Sequence, residues 1–305
     1  MGAFTTRREG DSEAKPMEGL AGKLAALIGD TEKLYGNIQD TILERIEDEE
    51  EEEIEEEEDE LDEPDMAFSY YPILQPAISR IHSYRLTSQI ILEKSLWNFD
   101  ELPQTMEPPA IATFDQLLLR RAIVDLVDCV NMDMLNVIIV PVHFSTLNVN
   151  SYRSAYVDIC STIPKSMRDL ISFEITQSGV QNWHSQLINA ISAVKRFGRM
   201  VCLEMDVSSP QFTDLKAIGV DCVGFTWKSG SMSLDAARNK FITFGKRATQ
   251  EGLRTYMLGT STTALYDAAA AANIDYIGGE AIAEGVKQPQ GSFAFTVDKK
   301  MADVS

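Results

Sequence analysis

Four side chains that can bind a cation or transfer a proton fall at the ends of three consecutive predicted strands. They are His143, Glu174, Glu204 and Asp206. One imidazole and three carboxylates are ligand types that suit a divalent cation such as Mg²⁺ or Mn²⁺. No lysine or second histidine accompanies them, so two interpretations stay open. One is a metal-dependent site on His143, Glu174 and Asp206, and the other is a polar rim hydrogen-bonded to neighbouring loops.

The elements that must position these side chains alternate between strand and helix. Runs rich in β-branched and aromatic residues predict strands, and the segments between them have helical periodicity. The predicted strands are residues 68–74, 78–86, 137–144, 171–176, 200–206, 222–227, 255–259 and 276–281. The predicted helices are residues 115–130, 152–163, 181–197, 211–218, 234–250 and 262–272. This repetition predicts an α/β protein with a TIM-like (β/α)8 barrel, whose chemistry lies at the carboxyl ends of its strands.

A doubly wound open sheet is the alternative fold. Such a sheet is expected to carry a glycine-rich phosphate loop after its first strand. Neither G-x-G-x-x-G nor G-x-x-x-x-G-K-[ST] occurs in the sequence, which favours the barrel.

Composition divides the 305 residues into five segments. Residues 1–16 are polar and are predicted to be disordered. Residues 17–46 have apolar side chains at helical spacing, which predicts an amphipathic helix that packs on its own chain or pairs with a second copy or a partner. Residues 47–66 form an acidic linker. Residues 67–288 form the barrel, and residues 289–305 form a carboxyl-terminal tail.

The net charge of −20 is concentrated in one tract. Fifteen of the seventeen residues 47–63 are acidic and none is basic, which indicates a solvated, extended spacer. The sequence has no cluster of Lys and Arg, so binding to nucleic acid is not expected. Since no apolar run approaches the ~20 residues of a membrane helix and no signal peptide opens the chain, we expect no membrane span and a cytoplasmic location.

Several short sequences, taken in order along the predicted barrel, resemble a set of known motifs. Residues 173–178 read F-E-I-T-Q-S and resemble F-E-I-T-E-S, and residues 70–73 read Y-Y-P-I and resemble Y-Q-P-I. Residues 115–119 resemble the helix before the N-x-S strand. Residues 221–223 resemble the start of D-Y-V-K-I-D, and residues 275–279 resemble D-Y-V-Q-G. In this order the motifs resemble those of EAL domains, the bacterial cyclic di-GMP phosphodiesterase family. The resemblance covers essentially the whole predicted barrel.

The resemblance implies a site that holds two divalent cations, mostly through carboxylates, to activate a water against a phosphodiester. Arg85 falls where the family has the glutamate of E-A-L, which replaces a ligand with a cation. His143 falls on the asparagine of N-x-S. Glu174 keeps the first glutamate of E-I-T-E.

The later strands also depart from the family pattern. Only one of Glu204 and Asp206 can align with an aspartate of D-D-F-G. The family's lysine falls on Gly224, a glutamate on Leu258, and the glutamine of the last strand on Gly278. These positions have lost the polar groups that the family uses.

The resemblance therefore predicts a degenerate EAL domain that is not an enzyme and holds no cofactor. Its expected role is a regulatory or scaffolding protein-interaction module in bacterial signalling, with an unidentified protein partner and a homodimeric state. Gln89 replaces an arginine that grips a phosphate, which places binding of cyclic di-GMP in doubt. Two alternatives stay open: a receptor that binds cyclic di-GMP without cleaving it, and a residual phosphodiesterase dependent on Mg²⁺ or Mn²⁺.

Overall fold

The structure is a computed structural model that describes residues 65–92, 95–104, 106–176, 184–208, 212–228 and 232–295. The predicted disordered segment 1–16, the predicted helix 17–46 and the acidic linker up to residue 64 lie outside the described residues. The last part of the predicted tail, residues 296–305, also lies outside them.

The described chain contains strands and helices in the following order. They are β1 (Asp65–Gln75), β2 (Arg80–Leu92), β3 (Ser95–Asn98), α1 (Pro108–Asn131), β4 (Val137–His143), α2 (Phe144–Asn148), α3 (Asn150–Ser161), β5 (Ile171–Thr176), α4 (His184–Lys195), β6 (Val201–Glu204), β7 (Cys222–Thr226), α5 (Leu234–Gln250), β8 (Arg254–Leu258), α6 (Thr263–Ala271), β9 (Tyr276–Gly278) and β10 (Phe293–Ala294). Short 3₁₀ segments lie at Pro76–Ile78, Phe99–Gln104 and Lys165–Leu170.

Eight of the strands close into a barrel. Their order is β1-β9-β8-β7-β6-β5-β4-β2, and a further pairing of β1 with β2 completes the circle. The pairings from β2 through β9 are parallel. The predicted TIM-like (β/α)8 barrel is thus confirmed, with helices packed outside the strands.

Strand β1 runs opposite to the other seven and pairs antiparallel with both β2 and β9. The reason is the short connection Pro76–Ile78 between β1 and β2, which ends at Ser79 with a left-handed φ of 48°. A parallel crossover needs a dozen or more residues, so a connection of this length can form only a hairpin. As a result, β1 begins at the end of the barrel where the other strands finish.

The barrel has two apolar layers. Alternate residues of the strands, such as Ile138, Val140 and Val142 of β4, pack outward in the large core shared with the helices. A smaller cluster lies inside the barrel, where Ile73, Tyr256 and their neighbours fill the lumen. All four cysteines are buried free thiols, and two of them belong to this inner cluster.

All eight barrel strands were predicted from the sequence, but the helix predicted at residues 211–218 is wrong. Residues 213–219 form turns, because Asp214 has a φ of 65° and Gly219 a φ of 104°, both outside the helical region. The sequence also failed to indicate β3, β10 and α2. Strand β10 pairs with β2, so ordered chain continues past residue 288.

Helix α1 begins at Pro108, seven residues before the predicted start. Proline is well suited to the first turn of a helix, where the missing N–H has no partner to lose. Within the described residues, no helix combines the length and apolarity needed to cross a membrane.

Candidate functional site at the mouth of the barrel

The carboxyl ends of strands β2 and β4–β9 form what we call the mouth of the barrel. Its central feature is an ion pair between Arg85 on β2 and Glu174 on β5. Arg85 Nε donates to Glu174 Oε2 at 2.5 Å, and Arg85 Nη2 donates to Asp100 Oδ1 at 3.3 Å. Arg85 is 7% exposed and Glu174 is 1% exposed, so this pair is shielded from water.

Neighbouring charges keep the arginine ionised in spite of its burial. Burial alone lowers the pKa of Arg85, but the charges of Glu174 and Asp100 outweigh it and raise the pKa above its usual value. The guanidinium carbon also lies 5.9 Å from the centre of the Phe99 ring. The mouth therefore contains a fixed positive charge at the position where the resemblance implies a metal-binding carboxylate.

Backbone register explains how the pair forms. Arg85 lies beside Ile139 on β4, and Pro141, two residues further along β4, lies beside Glu174 on β5. Both side chains line the lumen, and the long arginine side chain crosses the intervening strand to reach Glu174. Asp100 comes from the 3₁₀ segment Phe99–Gln104, which no sequence signal predicted.

His143 takes part in a different contact. Its backbone N–H donates to Asp115 Oδ2 at 2.9 Å, and its ring Nδ1 lies 2.7 Å from Asp115 Oδ1. The ring stacks on Phe99 at 4.2 Å, and the Thr146 hydroxyl donates to the same Asp115 carboxylate. Burial lowers the pKa of His143, but the charge and hydrogen bond of Asp115 outweigh it and raise the pKa. His143 thus belongs to a buried pair that joins β4 to α1.

Glu204 and Asp206 lie on and just beyond β6. Glu204 accepts a hydrogen bond from the Thr226 hydroxyl at 2.8 Å. Burial raises the pKa of Glu204, and the negative charge of Glu174 raises it further. Asp206 is exposed, and its carboxylate accepts from the backbone N–H of Ser208 at 2.8 Å. Of these two residues, only Glu204 faces the charged centre of the mouth.

The glycine at position 224 makes room for an aromatic ring. A Cβ added to Gly224 would lie 2.2 Å from two ring atoms of Tyr256 and 2.4 Å from the Tyr256 carbonyl oxygen. Burial raises the pKa of the Tyr256 hydroxyl, and the charges of Glu174 and Glu204 raise it further. The place of the family's lysine is therefore occupied by a neutral phenol.

Gly278 has the same relation to two aliphatic side chains. A Cβ there would lie 2.5 Å from Ile73 Cδ1 and 3.1 Å from Leu258 Cδ2. Leu258 itself stands where the resemblance expects a glutamate. Gly224 and Gly278 thus leave space that large side chains of the neighbouring strands fill. The cavity that remains in the lumen is about 30 Å³.

Two important residues, Tyr256 and Asp100, were missed by the sequence analysis. Tyr256 could have been found, because it lies two positions before Leu258 on β8 and so faces the same side of the strand. No comparable signal marks Asp100.

The residues present do not fit a two-cation centre. Glu174 Oε1 is buried and has no hydrogen-bond partner among the described residues, so it is one free ligand atom. However, no group of three or more His, Cys, Asp or Glu in the described residues could hold a metal ion. The predicted set of His143, Glu174 and Asp206 is not brought together, because each has a different neighbour.

Solved structures are similar to this chain in fold, although no family model and no curated protein matches its sequence. Among solved structures, the FimX EAL domain of Xanthomonas citri in complex with c-di-GMP has a TM-score of 0.56 at 15% identity, covering 74% of this chain and 90% of that one. The FimX EAL domain of Pseudomonas aeruginosa bound to c-di-GMP has a TM-score of 0.58 at 12% identity, covering 73% and 91%.

A third similar structure is the Bacillus subtilis YkuI protein, which has an EAL domain and was solved with substrate c-di-GMP and calcium. Its TM-score is 0.58 at 13% identity, and the match covers 75% of this chain and 56% of YkuI. The fold of the described chain is therefore that of EAL domains, a TIM-like barrel.

Proposed function

We propose that this chain is a cyclic di-GMP signalling module that has lost phosphodiesterase activity and acts through contacts with other proteins. The observation that carries the proposal is the buried ion pair between Arg85 and Glu174. A regulatory or scaffolding role, an unidentified protein partner and a homodimer follow from the resemblance to EAL domains.

The ion pair opposes metal binding in two ways. The Arg85 guanidinium already donates to Glu174 Oε2, so a cation would have to displace it. Its positive charge would also repel a divalent cation in a site of low dielectric constant, where such repulsion is strong. Since metal ions supply several kcal/mol of charge stabilisation in such hydrolysis, their loss removes most of the rate.

The packing around Gly224 and Gly278 supports the same proposal. Tyr256 fills the space at Gly224, and Ile73 and Leu258 fill the space at Gly278. Restoring a single polar residue at either position would require its neighbours to move. Several strands thus carry changes that oppose phosphodiesterase activity. This supports a barrel whose role is to bind other proteins through its surface.

The direct test is incubation of the purified protein with cyclic di-GMP and Mg²⁺ or Mn²⁺. We expect no linear product above the rate without protein. Turnover approaching ~1 s⁻¹, the low end for ordinary enzymes, would contradict the proposal.

A sharper test changes the charge at the centre of the mouth. We expect Mg²⁺ and Mn²⁺ to leave the thermal midpoint of the natural protein unchanged, whereas Arg85→Glu should gain a cation-dependent rise because two carboxylates would then face each other. Lys287→Glu, an exposed change of the same charge, is the matched control. An equal response of all three proteins would count against the role given to Arg85.

A second candidate function is a receptor that binds cyclic di-GMP without cleaving it. All three of the similar EAL structures described above were solved with that ligand, which favours this candidate. Against it, Gln89 donates to Asn98 Oδ1 at 3.2 Å and offers an amide where a guanidinium would suit a phosphate. Isothermal titration separates the two: a low-micromolar complex, about −8 kcal/mol, indicates a receptor, and no heat indicates a protein-contact role alone.

A further inference from the structure

The end of the barrel opposite the mouth exposes three arginines. Arg80 is the first residue of β2, Arg254 is the first residue of β8, and Arg199 lies two residues before β6. All three are exposed. We call the surface formed by these three residues the amino-terminal face. The fold assembles this cationic surface from residues that are far apart in the sequence.

Two observations show that the three arginines are neighbours. Arg254 Nη1 lies 3.8 Å from the sulfur of Met200, the residue next to Arg199. Burial lowers the pKa of His82, and the positive charges of Arg199 and Arg80 lower it further, so both arginines act on the same imidazole. The amino-terminal face is therefore a single patch of positive charge.

Within the described part of the chain, none of the three arginines forms an ion pair. Arg80 donates to the Ser292 hydroxyl at 3.3 Å, and Arg254 donates to the Tyr276 hydroxyl at 2.8 Å. Both of these partners are neutral groups. The positive charge of the amino-terminal face is thus left uncompensated by these contacts.

Two carboxylates on the loops beside this surface have partners. Asp221 pairs with Lys195 and lies 3.8 Å from Lys216. Asp275 accepts from the Thr255 backbone N–H at 2.8 Å and from its hydroxyl at 2.9 Å. Asp221 is therefore engaged by lysines, whereas Asp275 accepts from a neutral threonine and keeps its negative charge beside Arg254.

Three further cations lie on adjoining loops. Arg168 and Arg196 both stack on the Phe197 ring, at 5.1 Å and 4.6 Å from its centre, and Lys165 is exposed nearby in sequence. They extend the positive surface around the amino-terminal face.

The same chain contains a strongly acidic segment that is complementary in charge to this face. Residues 47–53 are seven consecutive acidic residues, E-D-E-E-E-E-E, within the acidic tract. Because β1 runs antiparallel, its first residue, Asp65, lies toward the mouth, and its eleven residues cover about 36 Å on the way to the opposite end. The eleven residues 54–64 can span at most ~36–40 Å when extended. When nearly extended, the tether can bring residue 53 to Arg80, which pairs with Gln75 at the end of β1, and residues 47–52 can then continue across the face.

We propose that acidic residues 47–53 dock on the amino-terminal face of their own chain, against Arg80, Arg199 and Arg254. Individual exposed ion pairs are weak, and a tether close to full extension raises the effective concentration of the tract only modestly, so several arginines must bind the tract together. The contact is screened by salt, and it competes with any acidic partner for the same arginines.

The test is cleavage of the full-length chain by a Glu-specific protease, with cuts in residues 47–53 followed by mass spectrometry. The natural protein is compared with the triple variant Arg80→Glu, Arg199→Glu, Arg254→Glu. The matched control reverses three exposed cations elsewhere: Arg238→Glu, Lys246→Glu, Lys287→Glu. At low salt we expect the tract of the natural protein and the control to be cut on the order of tenfold more slowly than that of the triple variant.

The dependence of cleavage on salt and on protein concentration shows whether the tract docks on its own chain. At about 500 mM NaCl the difference should disappear, because charge screening removes the contact while leaving the fold intact. Unequal cleavage rates at high salt would show that the triple Arg→Glu variant has a folding defect. The triple Arg→Gln variant then replaces it, and we expect its tract to be cut at an intermediate rate at low salt. Equal cleavage of all proteins at low salt would overturn the proposal, as would protection that grows with protein concentration, since that indicates docking on a second copy.

Discussion

The two ends of the barrel use arginine in opposite ways. At the mouth, Arg85 is buried and held by Glu174 and Asp100, so its charge is satisfied within the molecule. At the amino-terminal face, Arg80, Arg199 and Arg254 are exposed and have no carboxylate partner in the described residues. The same barrel thus neutralises an arginine by internal charge pairing at one end and exposes arginines without an ion-pair partner in the described residues at the other.

The energetic consequences of the two arrangements differ. Removing one partner of a buried ion pair leaves an uncompensated charge in a region of low dielectric constant, which is strongly destabilising. An exposed arginine loses little when truncated, because water solvates it in both states. Substitutions at the two ends should therefore separate clearly in the free energy of unfolding.

The largest effect is expected for Arg85→Met. It leaves Glu174 buried without its partner and should lower the free energy of unfolding by about 3–5 kcal/mol. The double variant Arg85→Met with Glu174→Met should recover most of the loss, because two apolar side chains replace two charges. Urea denaturation of both variants measures this, and a loss below ~1 kcal/mol for Arg85→Met would remove the basis of the comparison.

The next effect concerns the packing of the mouth. Gly224→Ala should destabilise the protein by about 1–3 kcal/mol, because the new methyl group would overlap the ring and the carbonyl oxygen of Tyr256. Gly285→Ala is the control: there a Cβ would meet the Tyr71 ring at 3.1 Å and Ser69 Cβ at 3.4 Å, and no backbone atom is among these contacts. Thermal unfolding of the two variants should give a clearly smaller shift for the control, and similar shifts would mean that the lumen is loosely packed.

A smaller effect depends on pH. Because the pKa of Glu204 is raised by burial and by Glu174, ionised Glu204 costs stability as the pH rises from its unfolded pKa through its folded pKa. Glu204→Gln removes this cost and can still accept from Thr226. The variant should gain up to ~1 kcal/mol over the natural protein at pH 7 and less at pH 4, below the unfolded pKa. A gain that is the same at both pH values would show that charge is not its cause.

The smallest effect belongs to the amino-terminal face. Arg199→Gln should change the free energy of unfolding by no more than about 0.5 kcal/mol, as is usual for an exposed site. The same denaturation experiment measures it beside Arg85→Met. A loss as large as that of Arg85→Met would mean that Arg199 has a structural partner and is not free for a ligand.

The fold could be predicted from the sequence because it depends on local patterns. Apolar runs such as residues 137–143 and 171–176 mark buried strands, and their regular alternation with helices leaves few topologies. The antiparallel β1 could also have been inferred, since only the four residues 76–79 separate it from β2 and a parallel crossover needs a dozen or more. The turn at Asp214 could not, because a left-handed aspartate has no pattern in the sequence.

The candidate site was only partly predictable. The types and positions of Arg85, Glu174 and Gly224 pointed to lost chemistry, but their partners come from distant segments. Asp100 is brought to Arg85 by the 3₁₀ segment after the β2–β3 hairpin, and Tyr256 is brought to Gly224 by the pairing of β7 with β8. The amino-terminal face could not be predicted because its arginines lie at or near the starts of three different strands. No run of basic residues in the sequence indicates that they are neighbours.

The most direct test of the central claim is a crystal structure grown with Mn²⁺ and cyclic di-GMP, examined by anomalous scattering. We expect no Mn²⁺ at the mouth and an intact ion pair between Arg85 and Glu174. Two Mn²⁺ ions ~3.5–4 Å apart, with Glu174 as a ligand and Arg85 displaced, would contradict it.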